Sequence, residues 1–233
     1  MHHIYERLIN RFMREFWLKH RSEADSGETD YAQHFRPFIT VSREPGSGGR
    51  PIAQLVAKKL KFRFYDNQII SDIAKSTKLR RSIVEAVDEK GRGLIADMIH
   101  GLFNPDYLSD VDYMRELCKV ILSVAYKGNA VIVGHGSNFI TPNSAGLHVR
   151  ITAPYRVRLR RSMKYENLSL EAAKKRLKEI ETDRTTFVKQ YFAKDINEPK
   201  YYDLTLNTTF YNLDQSAHLI IAAFKLKFSR GTM

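Results

Sequence analysis

Hydrophobic and polar positions alternate along residues 38–233 in blocks that predict strands followed by helices. Short apolar runs rich in β-branched residues predict buried strands, and they fall at 38–42, 62–66, 130–133, 147–152 and 203–207. The run at 130–133 is continuous, which is typical of a parallel strand buried on both faces. Between the runs, apolar residues recur at three- and four-residue steps, as in helices with one buried face. Strand–helix units in this order favour a doubly wound α/β fold with a parallel sheet.

Three of the predicted helical segments have features that the structure can test. The apolar spacing predicts a helix at about 110–127, which ends at a Gly-Asn pair. Residues 79–103 predict two short helices that are broken at Gly91-Arg92-Gly93. Asp214 is placed to cap the last helix, because a side-chain oxygen there accepts from the first turn.

The N-terminal part of the chain has a different pattern. Residues 21–36 are polar and without periodicity, which predicts a linker. Residues 3–20 predict an amphipathic helix that packs on the domain or on a second copy of the chain, with a membrane-surface helix as the alternative. Its apolar stripe includes Ile4, Leu8, Phe12 and Phe16. We therefore expect an appendage at 1–37, a possible homodimer contact, and one domain at 38–233.

A glycine-rich loop lies between the first strand and the helix that follows it. Gly46, Gly48 and Gly49 supply three of its residues, and apolar positions at helical spacing begin at Ile52. In such a strand–loop–helix unit the backbone N–H groups converge, and the positive end of the helix dipole points at the loop. The pattern predicts a phosphate site. The alternative is a glycine-rich turn that binds no ligand.

The loop departs from the Walker A pattern, G-x-x-x-x-G-K-[ST]. If Gly48 is the last glycine of that pattern, Gly49 occupies the Lys position and Arg43 the first Gly position. The hydroxyl position falls on Arg50 or Pro51. Arg50 is the predicted replacement for the missing Lys.

These residues carry a resemblance to a known family. Ile39-Thr40-Val41-Ser42-Arg43-Glu44, followed by Gly46-Ser47-Gly48-Gly49-Arg50, is similar to the opening of the cytidylate kinase-like family, which are P-loop nucleoside monophosphate kinase relatives. The resemblance covers about residues 38–225 and continues at Phe64-Tyr65-Asp66, Val131-Ile132-Val133-Gly134-His135-Gly136, Asp183-Arg184 and Tyr202-Asp203-Leu204-Thr205-Leu206-Asn207-Thr208. It implies a P-loop NTPase-type, five-stranded parallel sheet in the order 2-3-1-4-5, with a helical lid and insertion.

The resemblance also implies roles for single residues. Gly46, Ser47, Gly48, Gly49 and Arg50 would bind the donor phosphates of ATP, and Arg160 and Arg184 would stabilise the transferred charge. Asp183 would orient a lid arginine or help hold Mg²⁺ through water. Asp66 and His135 would lie in the monophosphate region, although Asp66 is equally a helix N-cap and relatives often have Arg where this chain has His135.

Other positions depart from the family or have a plainer interpretation. Thr186 stands where the family commonly has a further lid arginine, so one lid cation is missing. Residues 79–103 would correspond to a mobile monophosphate-binding arm. Arg80 and Arg81 could reach a phosphate there, but paired surface arginines are usually solvated. A solvated helix face is likewise the expectation for Arg156, Arg158 and Arg161.

Charge and composition narrow the classes of ligand. The net charge is +12, and residues 1–37 contain equal numbers of basic and acidic residues, so the surplus belongs to 38–233. Such a field favours nucleotides or nucleic acid. A single cysteine, Cys118, is expected in a reducing compartment. The absence of a long apolar run or signal-peptide core favours a cytoplasmic location, and the spacing of Cys and His predicts no metal cluster.

Three functions are consistent with these observations. The first is an ATP-dependent kinase that phosphorylates CMP or dCMP, as the resemblance implies. The second is a non-catalytic nucleotide-binding regulator on the same fold, which the missing Walker Lys and hydroxyl favour. The third is a nucleic-acid-binding protein. It ranks last because the basic half of the chain lacks an aromatic motif for base stacking.

Overall fold

The computed structural model describes residues 32–102 and 111–229. These residues form two compact units. The first unit is helical and its described residues are 32–36, 67–102, 111–128 and 140–145. The second unit contains the sheet and its described residues are 37–66, 129–139 and 146–229.

Five parallel strands form the sheet of the second unit, and their spatial order is β2-β3-β1-β4-β5. This order confirms the one that the resemblance implied. Val41 of the central strand pairs with Val133 on one side and with Val149 on the other. The carboxyl ends of β1, β3 and β4 therefore meet at one edge of the sheet, where open α/β sheets bind ligands. The strands are β1 Phe38–Arg43, β2 Arg63–Tyr65, β3 Ala130–Val133, β4 Gly146–Thr152 and β5 Leu204–Asn207.

Nine helices are present in the described part of the chain, with a short 3₁₀ turn at Pro199–Tyr201. The helix predicted at 110–127 is confirmed as α5. In chain order the helices are α1 Gly49–Leu60, α2 Asn67–Lys75, α3 Thr77–Glu85, α4 Glu89–Leu102, α5 Val111–Lys127, α6 Ser137–Ile140, α7 Tyr155–Glu166, α8 Leu170–Phe192 and α9 Leu213–Phe228.

The core of the second unit joins the strands to α1 and α9. Ile52 and Val56 of α1 and Ile220 of α9 are almost fully buried against β-branched residues of the strands, such as Val131 and Val149. Each such side chain contributes about 1.5–3 kcal/mol on burial. The apolar spacing of α1 therefore fixes the direction in which this helix leaves the loop that precedes it.

One predicted helix boundary in the first unit is wrong. The glycines at 91 and 93 do not break a helix, because α4 runs through both of them and the interruption falls earlier, at 86–88. Asp88 Oδ1 accepts the N–H of Gly91 at 2.7 Å, as a residue that caps the start of a helix does. Gly91 lacks a side chain for a packing reason, since a Cβ there would lie 2.5 Å from Cζ of Tyr126.

The predicted cap of the last helix is also wrong. Asn212 caps α9: its Oδ1 accepts the N–H of Gln215 at 2.8 Å, and Gln215 Oε1 accepts the N–H of Asn212 at 3.0 Å. This reciprocal capping box satisfies two N–H groups at once. Asp214 lies in the first turn instead, 2.9 Å from Lys59 Nζ of α1. The hydrogen bond from Lys59 lowers the pKa of Asp214 below its usual value.

The predictions for the N-terminal part are mostly untested. The amphipathic helix at 3–20 lies outside the described residues. The last residues of the predicted linker are ordered: Phe35 is buried and its ring meets the edge of Tyr126 with centroids 5.4 Å apart. Among the helices that the structure describes, none is long and apolar enough to cross a membrane.

Candidate functional site

The predicted glycine-rich loop connects β1 to α1, and two of its glycines have positive φ. Gly46 has φ 74° and Gly48, the N-cap residue of α1, has φ 84°. Glycine adopts such angles without the strain that other residues meet. Gly46 also passes close to α7, because a Cβ there would lie 2.7 Å from the carbonyl oxygen of Arg158. The loop conformation therefore depends on glycine at both positions.

Side chains from distant parts of the chain hold the loop by its carbonyl oxygens. Ser47 O accepts a hydrogen bond from Arg161 Nη1 at 3.0 Å and another from Thr208 Oγ1 at 2.8 Å. Arg161 also donates to Oγ1 and to the carbonyl oxygen of Thr208, both at 2.8 Å. Glu44 O accepts from the hydroxyl of Ser47 at 2.7 Å. The carbonyl groups of Glu44 and Ser47 thus accept hydrogen bonds from protein donors.

Most N–H groups of the loop, in contrast, have no hydrogen-bond acceptor among the described residues. Those of Gly46, Gly48, Gly49 and Arg50 donate to no acceptor among the described residues. They lie at the positive end of a 12-residue helix whose first turn contains no acidic residue. Backbone N–H groups are rarely left without an acceptor in the absence of a ligand or water. This geometry is typical of a phosphate-binding loop.

Two arginines that the sequence assigned to a solvated helix face support the loop instead, so that expectation is wrong. Arg158 is buried and forms an ion pair with Glu181, and its Nε lies 3.3 Å from Glu44 Oε2. It also donates to Pro45 O at 3.4 Å. Arg161 is half-buried and donates to Ser47 O. Their neighbour Arg156 is exposed, as expected.

Glu44 and Arg150 were not identified as site residues from the sequence. Glu44 Oε2 accepts the backbone N–H of Ala153 at 3.0 Å, which joins the loop to the end of β4. Arg150 is buried, donates to Asn197 Oδ1 at 2.6 Å, and lies 4.0 Å from Glu44 Oε1. A signal was present in the sequence, since a charged residue inside a predicted buried strand needs a partner.

Arg43 and Arg184 place further positive charge beside the loop. Arg184, a predicted catalytic residue, donates from Nη1 to the carbonyl oxygen of Arg43 at 2.7 Å. Burial, with repulsion from Arg184 and Arg50 opposed by Asp66, lowers the pKa of Arg43 to about 9. Burial, with repulsion from Arg150 opposed by Glu181, lowers the pKa of Arg184 to about 10. A cluster of cations with lowered pKa values favours the binding of an anion.

Arg50, the predicted replacement for the Walker Lys, is paired with Asp66. Its Nε and Nη2 lie 2.9 and 2.6 Å from Asp66 Oδ2. The side chain of Arg50 is 65% exposed, whereas that of Asp66 is 6% exposed. The structure therefore brings two predicted site residues together, and the carboxylate of Asp66 faces Arg50.

The other predicted site residues are less closely connected to the loop. His135 follows β3, has φ 55°, and its ring centroid lies 6.4 Å from that of Phe187. Arg160 and Asp183 are exposed, and neither side chain has a hydrogen bond or ion pair with a described residue. No preformed metal cage was found in the part of the chain that the structure covers. Mg²⁺ does not require one, because it usually keeps several waters and binds through one or two carboxylates and substrate phosphates.

The sheet order and the loop after β1 define the class of protein. A five-stranded parallel sheet in the order 2-3-1-4-5, with a glycine loop that leads into a helix N-terminus, is a P-loop-type α/β fold. The chain belongs to the cytidylate kinase-like family, whose sequence model matches residues 38–210. Family membership and the fold together support a nucleotide kinase.

Three similar proteins illustrate the range of the likeness. A cytidylate kinase of Staphylothermus marinus is 26% identical over 183 residues, which cover 78% of this chain and 93% of that protein. A cytidylate kinase of Pyrococcus horikoshii is 28% identical over 172 residues, which cover 73% and 79%. The crystal structure of an uncharacterized protein from Eubacterium ventriosum matches this chain with a TM-score of 0.63 at 21% identity. The match covers 82% of this chain and 99% of the Eubacterium ventriosum chain. The last likeness concerns the fold alone.

Proposed function

We propose that the protein transfers the γ-phosphoryl group of ATP to CMP or dCMP. The observation that carries this proposal is the set of four loop N–H groups that have no acceptor among the described residues, beside arginines whose pKa values are lowered. A polyphosphate would satisfy both features at once. The choice of a cytidine nucleotide as acceptor is supported by the family and by the similar proteins that are named cytidylate kinases.

Phosphoryl transfer requires mainly positioning and charge stabilisation. In the proposed reaction an oxygen of the acceptor phosphate forms a bond to the γ-phosphorus of ATP. The bond between that phosphorus and the β–γ bridging oxygen breaks, and ADP leaves with the electron pair. No general base is needed, because the acceptor oxygen is already ionised. Mg²⁺ that arrives with ATP would neutralise charge between the β- and γ-phosphates.

The residues of the chain have separate roles in this proposal. The N–H groups of Gly46, Gly48, Gly49 and Arg50 bind the donor phosphates, and the side chains of Arg50 and Asp66 lie at the border of the site. Arg184 and Arg160 would neutralise the group in transfer, and Asp183 would orient a lid arginine or help to hold Mg²⁺ through water. His135 contacts the acceptor phosphate.

One observation favours a non-catalytic nucleotide-binding regulator as the second candidate. Gly49 and Pro51 stand where a P-loop kinase would have side chains for phosphate and Mg²⁺, and neither offers a charge or a hydroxyl. Such a protein would bind ATP at the same loop without turnover.

The test is a coupled ADP-release assay with ATP, Mg²⁺ and each nucleoside monophosphate in turn, with thermal unfolding of the same samples. We expect turnover with CMP or dCMP. Arg184→Gln should lower kcat about a hundredfold or more, as the loss of a group that stabilises the transition state does. Arg156→Gln is the matched control, because it removes an exposed arginine that has no partner among the described residues.

The possible outcomes separate the two candidates. Stabilisation by ATP without turnover for any monophosphate would reject the kinase and support the regulator. Turnover that is equal in Arg184→Gln and Arg156→Gln would reject the role of Arg184 while leaving the reaction in place.

A further inference from the structure

The altered loop exchanges a glycine and a cation relative to the strict motif. Arg43 occupies the position of the first Gly, and Gly49 occupies the position of the Lys. In the structure these two positions touch, because a Cβ on Gly49 would lie 2.5 Å from Cβ and 3.0 Å from Cγ of Arg43. A Lys at 49 and the observed side chain of Arg43 could not both be accommodated. The two departures from the motif are therefore one coupled change.

The guanidinium of Arg43 has no counterion in the described part of the chain. No carboxylate of the described residues lies within ion-pair distance of it, and the half-buried residue lies beside the like charge of Arg184. Asp66 is the ion-pair partner of Arg50, and it attracts the guanidinium of Arg43 only from beyond ion-pair distance. A charge that is partly removed from water and has no partner is costly unless a ligand supplies the opposite charge.

Arg50 is in the opposite environment. It is the more exposed of the two arginines, and its Nε and Nη2 both donate to Asp66 Oδ2. Its charge is therefore already compensated by a carboxylate that is itself buried. A phosphate that bound Arg50 would compete with this pair, whereas one that bound Arg43 would not.

We propose that Arg43, rather than Arg50, supplies the cation that contacts the phosphate chain of a nucleoside triphosphate at the glycine loop. Arg43 extends from the end of β1 across Gly49 and so takes the place of a lysine that would extend from α1. The N–H groups of Gly46, Gly48 and Gly49 bind oxygens of the same chain of phosphates. The identity of the ligand as ATP rests on the proposed function, but the contact itself requires only a polyphosphate.

The test compares three single variants of the full chain: Arg43→Gln, Arg50→Gln and Arg156→Gln. Each removes one positive charge, and the last is the matched control on the exposed face of α7. Dissociation constants for inorganic tripolyphosphate and for ATP are measured by titration calorimetry. We expect Arg43→Gln to weaken both about tenfold or more, Arg50→Gln to weaken them less, and Arg156→Gln to leave them within about twofold.

Three further variants keep the test decisive if Arg43→Gln fails to fold. Arg43→Lys retains the charge on a shorter side chain and should bind more tightly than Arg43→Gln. The double change Arg43→Gly with Gly49→Lys restores the strict motif at both positions. It should recover most of the affinity that Arg43→Gly alone loses. Thermal unfolding without ligand shows which variants are folded.

Several results would overturn the proposal. Tripolyphosphate affinity in Arg43→Gln equal to that of Arg156→Gln would do so, as would a larger loss in Arg50→Gln than in Arg43→Gln. Failure of the wild-type chain to bind either ligand would also reject it. Normal binding with no turnover would reject the kinase function alone, because the role of Arg43 is measured by affinity.

Discussion

At the scale of single residues, the carboxyl end of β1 concentrates positive charge that the described residues do not fully neutralise. Arg43 and Arg184 are joined by a hydrogen bond to the backbone, and their lowered pKa values mean that folding disfavours their charged forms. This cost to stability is fully present below about pH 9 and diminishes as the pH rises through the lowered pKa values. A bound anion would remove it.

Binding of ATP should consequently depend on pH in the alkaline range. Arg43, with its pKa of about 9, is charged at pH 7 and loses its charge as the pH passes that value. We expect ATP affinity to fall between pH 8 and pH 10 and ATP binding to take up protons near pH 9, since the ligand favours the charged form. Calorimetry in two buffers of different ionisation enthalpy measures this uptake. Affinity that is constant over this range, or equal proton uptake in Arg43→Gln, would contradict the expectation.

At the scale of elements, two glycines in α4 occupy different environments within three residues. A Cβ on Gly91 would meet Cζ of Tyr126 at 2.5 Å and Cγ1 of Val87 at 2.6 Å. A Cβ on Gly93 would meet nothing within 4 Å. The first glycine allows α4 to approach α5 closely, and the second has no packing role among the described residues.

This difference predicts opposite effects of the same substitution. Gly91→Ala should destabilise the protein by about 1–3 kcal/mol, because the added methyl group overpacks the contact with Tyr126. Gly93→Ala should stabilise it by about 0.5–1 kcal/mol, because alanine favours the helix. Chemical denaturation of both variants measures the free energies of unfolding. Equal effects of the two substitutions would show that α4 does not pack as described.

Helix α7 illustrates which features a sequence pattern can and cannot predict. Its existence follows from its composition and from the strand that precedes it. The four arginines Arg156, Arg158, Arg160 and Arg161 look alike in the sequence, yet Arg158 is buried in ion pairs and Arg156 and Arg160 are exposed. Arg158 pairs with Glu181, 23 positions away along the chain, and Arg161 donates to Ser47 O, 114 positions away. Helical periodicity contains no information about such contacts.

At the scale of the whole molecule, the surplus positive charge lies in residues 38–233, and the described loop provides one place for it to act. A ligand that binds only the folded state stabilises it, by about 2.7 kcal/mol at a hundred times its dissociation constant. Four features stay predictions from the sequence. They are the N-terminal helix, its contact with a second copy of the chain, the domain boundary at 37–38 and the cytoplasmic location.

ATP should therefore raise the unfolding temperature. At a hundredfold excess over its dissociation constant we expect a rise of about 5–10 °C for a chain of this length, and a smaller rise at high salt because the attraction is electrostatic. Tripolyphosphate should also stabilise the protein, whereas adenosine without phosphates should not. Differential scanning calorimetry measures these shifts. Stabilisation by adenosine equal to that by ATP would indicate that the site recognises the base rather than the phosphates.

The sequence by itself determined the order of strands and helices, the glycine loop after β1 and the family. These features depend on residues that are close together in the chain, where apolar spacing and glycine directly limit the backbone. Only the tertiary structure decided that Asp66 pairs with Arg50, that Arg43 crosses Gly49, and which arginines hold the loop. The physical reason is that burial and ion pairing depend on which distant segments the sheet order brings together. Local composition does not specify those neighbours.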